Sequence, residues 1–217
     1  MTAFIFDMDG TIVDTMRIHE EAWKIVSSGH SFSIDIGSFV KQTAGMTNRE
    51  IFSLLGLPNG TDHELRTLAE HKESVYRSLA HGNIKEIPGF LDFFFHLKRR
   101  DLRVALATAA PSANVGLVLG ALGIASEFDA VVGPEDVTSG KPHPMTFLCA
   151  AMKLNADPKE CVVFEDSFPG FEAARRAGMQ FVAITSSHAS SEISYGAYDG
   201  CLGKISDYRD DFLLRFR

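Results

Sequence analysis

Three things are scarce in this 217-residue chain: cysteine, surplus positive charge and long apolar runs. The three cysteines, Cys149, Cys161 and Cys201, form no CxxC pair. That odd, scattered set excludes a disulfide framework or a cysteine-based zinc site and predicts reduced thiols. Acidic residues outnumber basic ones, 28 to 21, giving a formal net charge of -7. Nucleic acids and anionic membranes select a positive footprint, so neither is an expected partner. The most apolar later runs, FLDFFFHL (90–97) and NVGLVLGALGI (114–124), are shorter than the roughly 18–20 residues a spanning helix needs. They predict core-facing helices. The N-terminal residues enter strand-like sequence with no basic stretch, apolar run and cleavage site in succession, which predicts a cytoplasmic protein without a secretion leader.

What is present is a soluble-type composition, 45% apolar and 23% charged, with a regular alternation of elements. Five short runs, AFIF (3–6), RVALA (103–107), AVV (130–132), CVVF (161–164) and FVAIT (181–185), are almost continuously apolar, as strands covered on both faces must be. Helix-like segments between the later runs stop at Gly123 and Gly178, residues suited to a left-handed helix end. The expected fold is α/β, a doubly wound, Rossmann-like parallel sheet. The alternation breaks once: residues 15–83 contain no strand candidate and are polar and helix-rich. Along that stretch Ala22, Ile25 and Val26 share one predicted helix face, and Leu65, Leu68, Val75 and Leu79 another. The division expected is an α/β core of residues 1–14 and 84–217 with an inserted all-helical unit over 15–83, hinged near Thr15 and between Asn83 and Pro88.

In an open α/β sheet the ligand crevice lies beyond the carboxyl ends of the strands. Asp7 and Asp9 follow the first strand, Thr108 the second, and Glu165 and Asp166 follow CVVF, so these should converge. A cluster of carboxylates repels itself and calls for a cation; oxygen ligands without cysteine suggest Mg²⁺. Lys141, in SGKPHP, is placed to reach the same edge. The histidines at 63, 71, 81 and 143 have no metal-ligand spacing, and Arg175 and Arg176 suit a solvated helix face.

DMDGT at 7–11, Thr108 after an apolar strand, Lys141 before Pro142, and EDS at 165–167 followed by GFEAARRAGM resemble, in order, the four motifs of the haloacid dehalogenase superfamily. One DG pair is a common turn; four ordered motifs on the expected strands are specific. FDMDGTIVDT followed by His19 and Trp23, with ATAAP and GKPHP, is most similar to the β-phosphoglucomutase and sugar-phosphate phosphatase branch. The resemblance implies Asp7 as a nucleophile that becomes phosphorylated and Asp9 as general acid and base. It implies a Mg²⁺ site from Asp7, the Asp9 backbone carbonyl and Asp166, with Glu165 nearby. Thr108, the Ala109 amide and Lys141 would hold phosphoryl oxygens. His19 would position Asp9 or respond to cap closure, while Trp23 is expected to pack in the cap.

The resemblance thus implies an enzyme acting on a small phosphorylated metabolite. A mutase must grip a second phosphate with basic cap groups. The cap offers Arg49, Lys72 and Arg77, which do not match the mutases' cap arginine and lysine cleanly, and Ala109, Ala110 and Pro111 lack hydroxyls. A phosphatase is therefore the favoured expectation, a phosphomutase the alternative. A dehalogenase has no use for Asp9 or Asp166, and a phospho-acceptor receiver module has no large cap.

Overall fold

A computed structural model of the chain describes residues 3–29, 35–43, 45–55, 61–186 and 199–216. Six parallel strands form one sheet: β1 (Ala3–Phe6), β2 (Arg103–Ala107), β3 (Ala130–Val132), β4 (Cys161–Glu165), β5 (Gln180–Ile184) and β6 (Cys201–Ile205). Their order in space is β3-β2-β1-β4-β5-β6. The chain winds outward from β1 in one direction, then returns beside β1 and winds outward in the other, which makes the β1/β4 boundary the topological switch point.

Strand alternation explains how both faces are covered. Phe4 and Phe6 of β1 enter one buried layer with Phe164 and with Phe90, Phe93 and Leu97 of α5 (Phe90–Arg99). Val115, Val118 and Leu119 of α6 (Ser112–Leu122) complete it. Ala3 and Ile5 face the opposite layer, with Phe147 of α7 (Met145–Lys153) and Phe171 of α8 (Phe168–Arg176). The two apolar runs are thus core-facing helices, as expected. Gly123 and Gly178 follow α6 and α8 with φ of 70° and 71°, and among the described residues no helix is long and apolar enough to cross a membrane.

Strand β6 is absent from the sequence reading. Its CLGKI sequence is only half-buried at the sheet edge, so glycine and lysine interrupt the apolar signal without preventing pairing to β5.

Between β1 and α5 the described residues form α1 (Met16–Ser28), α2 (Ile36–Thr43), α3 (Asn48–Leu54) and α4 (Asp62–Ala80). Trp23, Phe39, Val40, Ile51 and Phe52 make a small core there, in keeping with the packing role expected of Trp23. On α1 the buried residues are Ala22, Trp23 and Val26, whereas Ile25 is 42% exposed; the buried arc of the helix runs from Ala22 through Val26 to Trp23, and Ile25 falls outside it. On α4 the leucines are only partly buried, and Lys72, Glu73, Tyr76 and Ala80 occupy the inner face. The two chain segments that join these helices to the sheet run side by side, with Asp14 N–H donating to Lys85 O at 2.9 Å and Ile87 N–H to Ile12 O at 2.9 Å.

Candidate active site

β1 ends at Phe6, but the Asp7 amide continues the ladder, donating to Phe164 O at 3.0 Å. Met8 is fully buried in the aromatic layer and anchors the segment. Gly10, at φ 77°, then turns the chain sharply, a conformation that other L-residues adopt at a cost. Asp7 and Asp9 consequently both line the same cavity, of about 80 Å³, room for several waters. Thr108, Ala109 and Asp166 line it as well.

Around Asp7 the site is a carboxylate cluster built on a buried cation. Lys141 Nζ donates to Asp7 Oδ1 at 2.5 Å and to Glu165 Oε2 at 3.3 Å. Asp7, Glu165 and Asp166 each present an oxygen within 4.8 Å of the others, and Thr11 Oγ1 donates to Asp166 Oδ1 at 3.3 Å. Burial, then the charges of Glu165 and Asp166, push the Asp7 carboxyl well above its ordinary value despite Lys141. Burial opposes the Lys141 charge too, but the three carboxylates outweigh it and raise the ammonium above its usual value. The donor set is all oxygen, hard and anionic, and it fits Mg²⁺ in chemistry.

Glu165 is held from behind. Ser167 caps α8, its Oγ accepting from Gly170 N at 3.1 Å while donating to Glu165 Oε1. A Cβ on Gly170 would lie 1.7 Å from Glu165 Oε1, so any side chain here forces Glu165 to shift. Gly170→Ala is expected to lower stability by about 1–3 kcal/mol through the forced shift; an unchanged midpoint in urea unfolding contradicts that packing.

Asp9 sits in a different net. Its Oδ1 accepts from Thr15 Oγ1 at 2.5 Å and Tyr76 OH at 3.1 Å, and His19 Nε2 lies 3.3 Å away. Lys72 Nζ is 3.0 Å from His19 Nδ1. An ammonium has only protons to offer, so Nδ1 accepts and the ring keeps its proton on Nε2, facing Asp9. The His19 ring stacks on Tyr76 at 4.2 Å. Burial opposes the Asp9 charge, but His19, Thr15 and Lys72 together outweigh it and hold the carboxyl below its ordinary value. Two aspartates separated by one residue are therefore driven in opposite directions.

Thr108 is buried, and its Oγ1 accepts from Ala110 N at 3.1 Å, which leaves the hydroxyl proton to donate elsewhere. Of the residues expected from sequence, Asp7, Asp9, Thr108, Ala109, Lys141, Glu165, Asp166 and His19 are brought to this one region; the Arg49 side chain lies outside the described residues. Sequence reasoning missed Thr15 as a partner of Asp9, and it missed Tyr76, Glu73 and Asn114. It named Lys72 without a place. The available signal was a charged pair, Lys72–Glu73, on the inner face of an amphipathic helix, where charges occur only when partnered.

A model for haloacid dehalogenase-like hydrolases matches residues 1–178. The chain is 36% identical over 182 residues to fructose-1-phosphate phosphatase YqaB of Escherichia coli, covering 83% of this chain and 94% of that protein. It is 31% identical to β-phosphoglucomutase of Bacillus subtilis, covering 85% and 83%. A solved hydrolase from Pseudomonas syringae superposes with a TM-score of 0.87 at 28% identity, covering 99% and 97%.

Proposed function

We propose the following reaction for a chain that belongs to the haloacid dehalogenase-like hydrolase family: hydrolysis of a small phosphorylated metabolite, a sugar phosphate, through a phosphorylated Asp7. The observation that carries it is the opposed pair of aspartates, one in a three-carboxylate cluster on Lys141 and the other in a separate hydrogen-bonded net.

In the first step an Asp7 oxygen forms a bond to phosphorus as the ester P–O bond breaks, and the departing oxygen takes a proton from Asp9. Asp9 rests ionised; the approach of a phosphate dianion raises its proton affinity, so that it takes up a proton from solvent as substrate binds and enters the reaction as an acid, and the water proton of the second step restores that form. In the second step a water oxygen bonds to phosphorus, Asp9 accepts the water proton, and the Asp7–phosphorus bond breaks. The Thr108 hydroxyl and Lys141 hold phosphoryl oxygens as charge redistributes. Asp7, Asp166 and the Asp9 carbonyl, with Glu165 behind them, would hold Mg²⁺, which when bound offsets the repulsion between carboxylate and phosphate. Helices α1–α4 serve as a cap over residues 15–83; the paired segments at Asp14 and Lys85 are the expected hinge. The three free cysteines are in keeping with a cytoplasmic enzyme.

A panel of hexose and pentose phosphates tests this reading. Steady phosphate release with Mg²⁺, lost on chelation, is the expected result; one isomer converting to another with no phosphate released would establish the mutase instead. Mg²⁺ at about 100 times its Kd should also stabilise the protein by about 2.7 kcal/mol, seen as a rise of several degrees in Tm.

A further inference from the structure

The cap side of the cavity holds a carboxylate that the reaction does not use. Glu73 is 4% exposed yet lines the cavity. Its Oε1 accepts from Lys72 Nζ at 2.9 Å and Asn48 Nδ2 at 2.9 Å, and its Oε2 from Asn114 Nδ2 at 2.7 Å. The three partners come from α4, α3 and α6, so the arrangement spans cap and core and exists only with the cap seated.

We propose that Glu73 sets the substrate class, admitting phosphomonoesters whose organic part is an uncharged polyol and turning away those with a second phosphate or a carboxylate. This rests on the phosphatase reading above and names its substrate. Lys72 is the lysine or arginine among the described residues lining the cavity, and its charge is matched by Glu73 and directed to His19. A second phosphate would find its charge already neutralised and would meet a carboxylate beside it. The remaining wall carries the Asn48 and Asn114 amides, which already donate to Glu73 while Asn114 Oδ1 accepts from Arg77 Nη1 at 3.2 Å outside the cavity lining, and apolar surface from Trp23, Val40 and Ile51. That mixture suits hydroxyls on one side of a sugar and C–H groups on the other. Burial opposes the Glu73 charge, but the Lys72 ammonium and the Asn48 hydrogen bond outweigh it and keep the carboxyl below its ordinary value, so the negative charge is present at neutral pH.

The test compares kcat/KM for a hexose 1-phosphate and the corresponding 1,6-bisphosphate, on the full chain with Mg²⁺, before and after Glu73→Gln. The parent is expected to prefer the monophosphate by at least about tenfold, and the substitution to shift the ratio toward the bisphosphate by about tenfold or more. Phosphate release from both esters at similar kcat/KM in the parent overturns the inference and leaves the phosphatase reading standing. So does an unchanged ratio in a folded, active variant. If Glu73→Gln does not fold, the parent's ratio decides alone. Release from no ester at all overturns the phosphatase reading and this inference with it.

Discussion

Asp7→Asn is expected to reduce phosphate release by about 10⁴-fold or more and to leave the protein at least as stable as the parent without metal. The kinetic loss follows from the atom replaced: an amide oxygen beside Lys141 is too poor a nucleophile to attack phosphorus, Glu165 and Asp166 are held in the cluster, and Asp9 is held in its own hydrogen bonds to Thr15 and Tyr76. The stability arm has a definite sign. The Asp7 carboxyl is raised above 3.8 in the folded protein, so its folded form binds the proton more tightly than the unfolded chain does. The stability this contributes is complete below about 3.8 and is lost as pH rises through the raised value. Asparagine carries no such loss, so the advantage of the variant grows across that window. Acid-quenched phosphoenzyme should be detectable in the parent and absent from the variant. Turnover at the parental rate would falsify the nucleophile assignment.

Lys141→Ala produces the second large effect, on folding as well as rate. Lys141 is 1% exposed and its ammonium is shared by Asp7 and Glu165; removing it leaves Asp7, Glu165 and Asp166 facing one another in a water-poor site. Breaking a buried ionic arrangement from one side costs about 3–5 kcal/mol, which for a chain of this length lowers Tm by about 10 °C. A divalent ion supplies part of the missing charge, so Mg²⁺ should raise the Tm of the variant more than that of the parent. Activity with Mg²⁺ present should still fall by about 10²–10³-fold, the usual cost of removing one donor to the transferring group. Melting curves with chelator and with Mg²⁺ separate the two arms. A Tm within a degree of the parent in chelator would show that the lysine does not neutralise this cluster.

The specificity experiment on Glu73 depends on neither result. Its readout is a ratio between two substrates of the same enzyme, so a general loss of activity cancels.

The catalytic edge was readable because each of its residues follows a strand, and strands buried on both faces announce themselves by continuous apolar sequence. AFIF followed by Asp7, RVALA followed closely by Thr108, and CVVF followed by Glu165 and Asp166 place three sets of groups on one side of a parallel sheet before any coordinate is known. The same rule failed at β6, where an edge position tolerates the glycine and lysine of CLGKI. It also failed within the cap. There, periodicity predicted Ile25 on the inner face of α1, yet it is 42% exposed; the buried arc runs through Trp23 instead.

What the amino-acid order determined by itself is the set of strand-end residues, because a short apolar strand leaves one register for what comes next. What only the tertiary structure decided is which partners those residues meet across long separations in the chain. Lys141 reaches Asp7 and Glu165, Lys72 reaches His19, and Glu73 reaches Asn114. A local pattern records which face of a helix is buried, but the identity of the groups opposite that face is set by the packing of separate elements. For charged side chains in a poorly solvated interior, those opposing groups determine protonation and therefore chemistry.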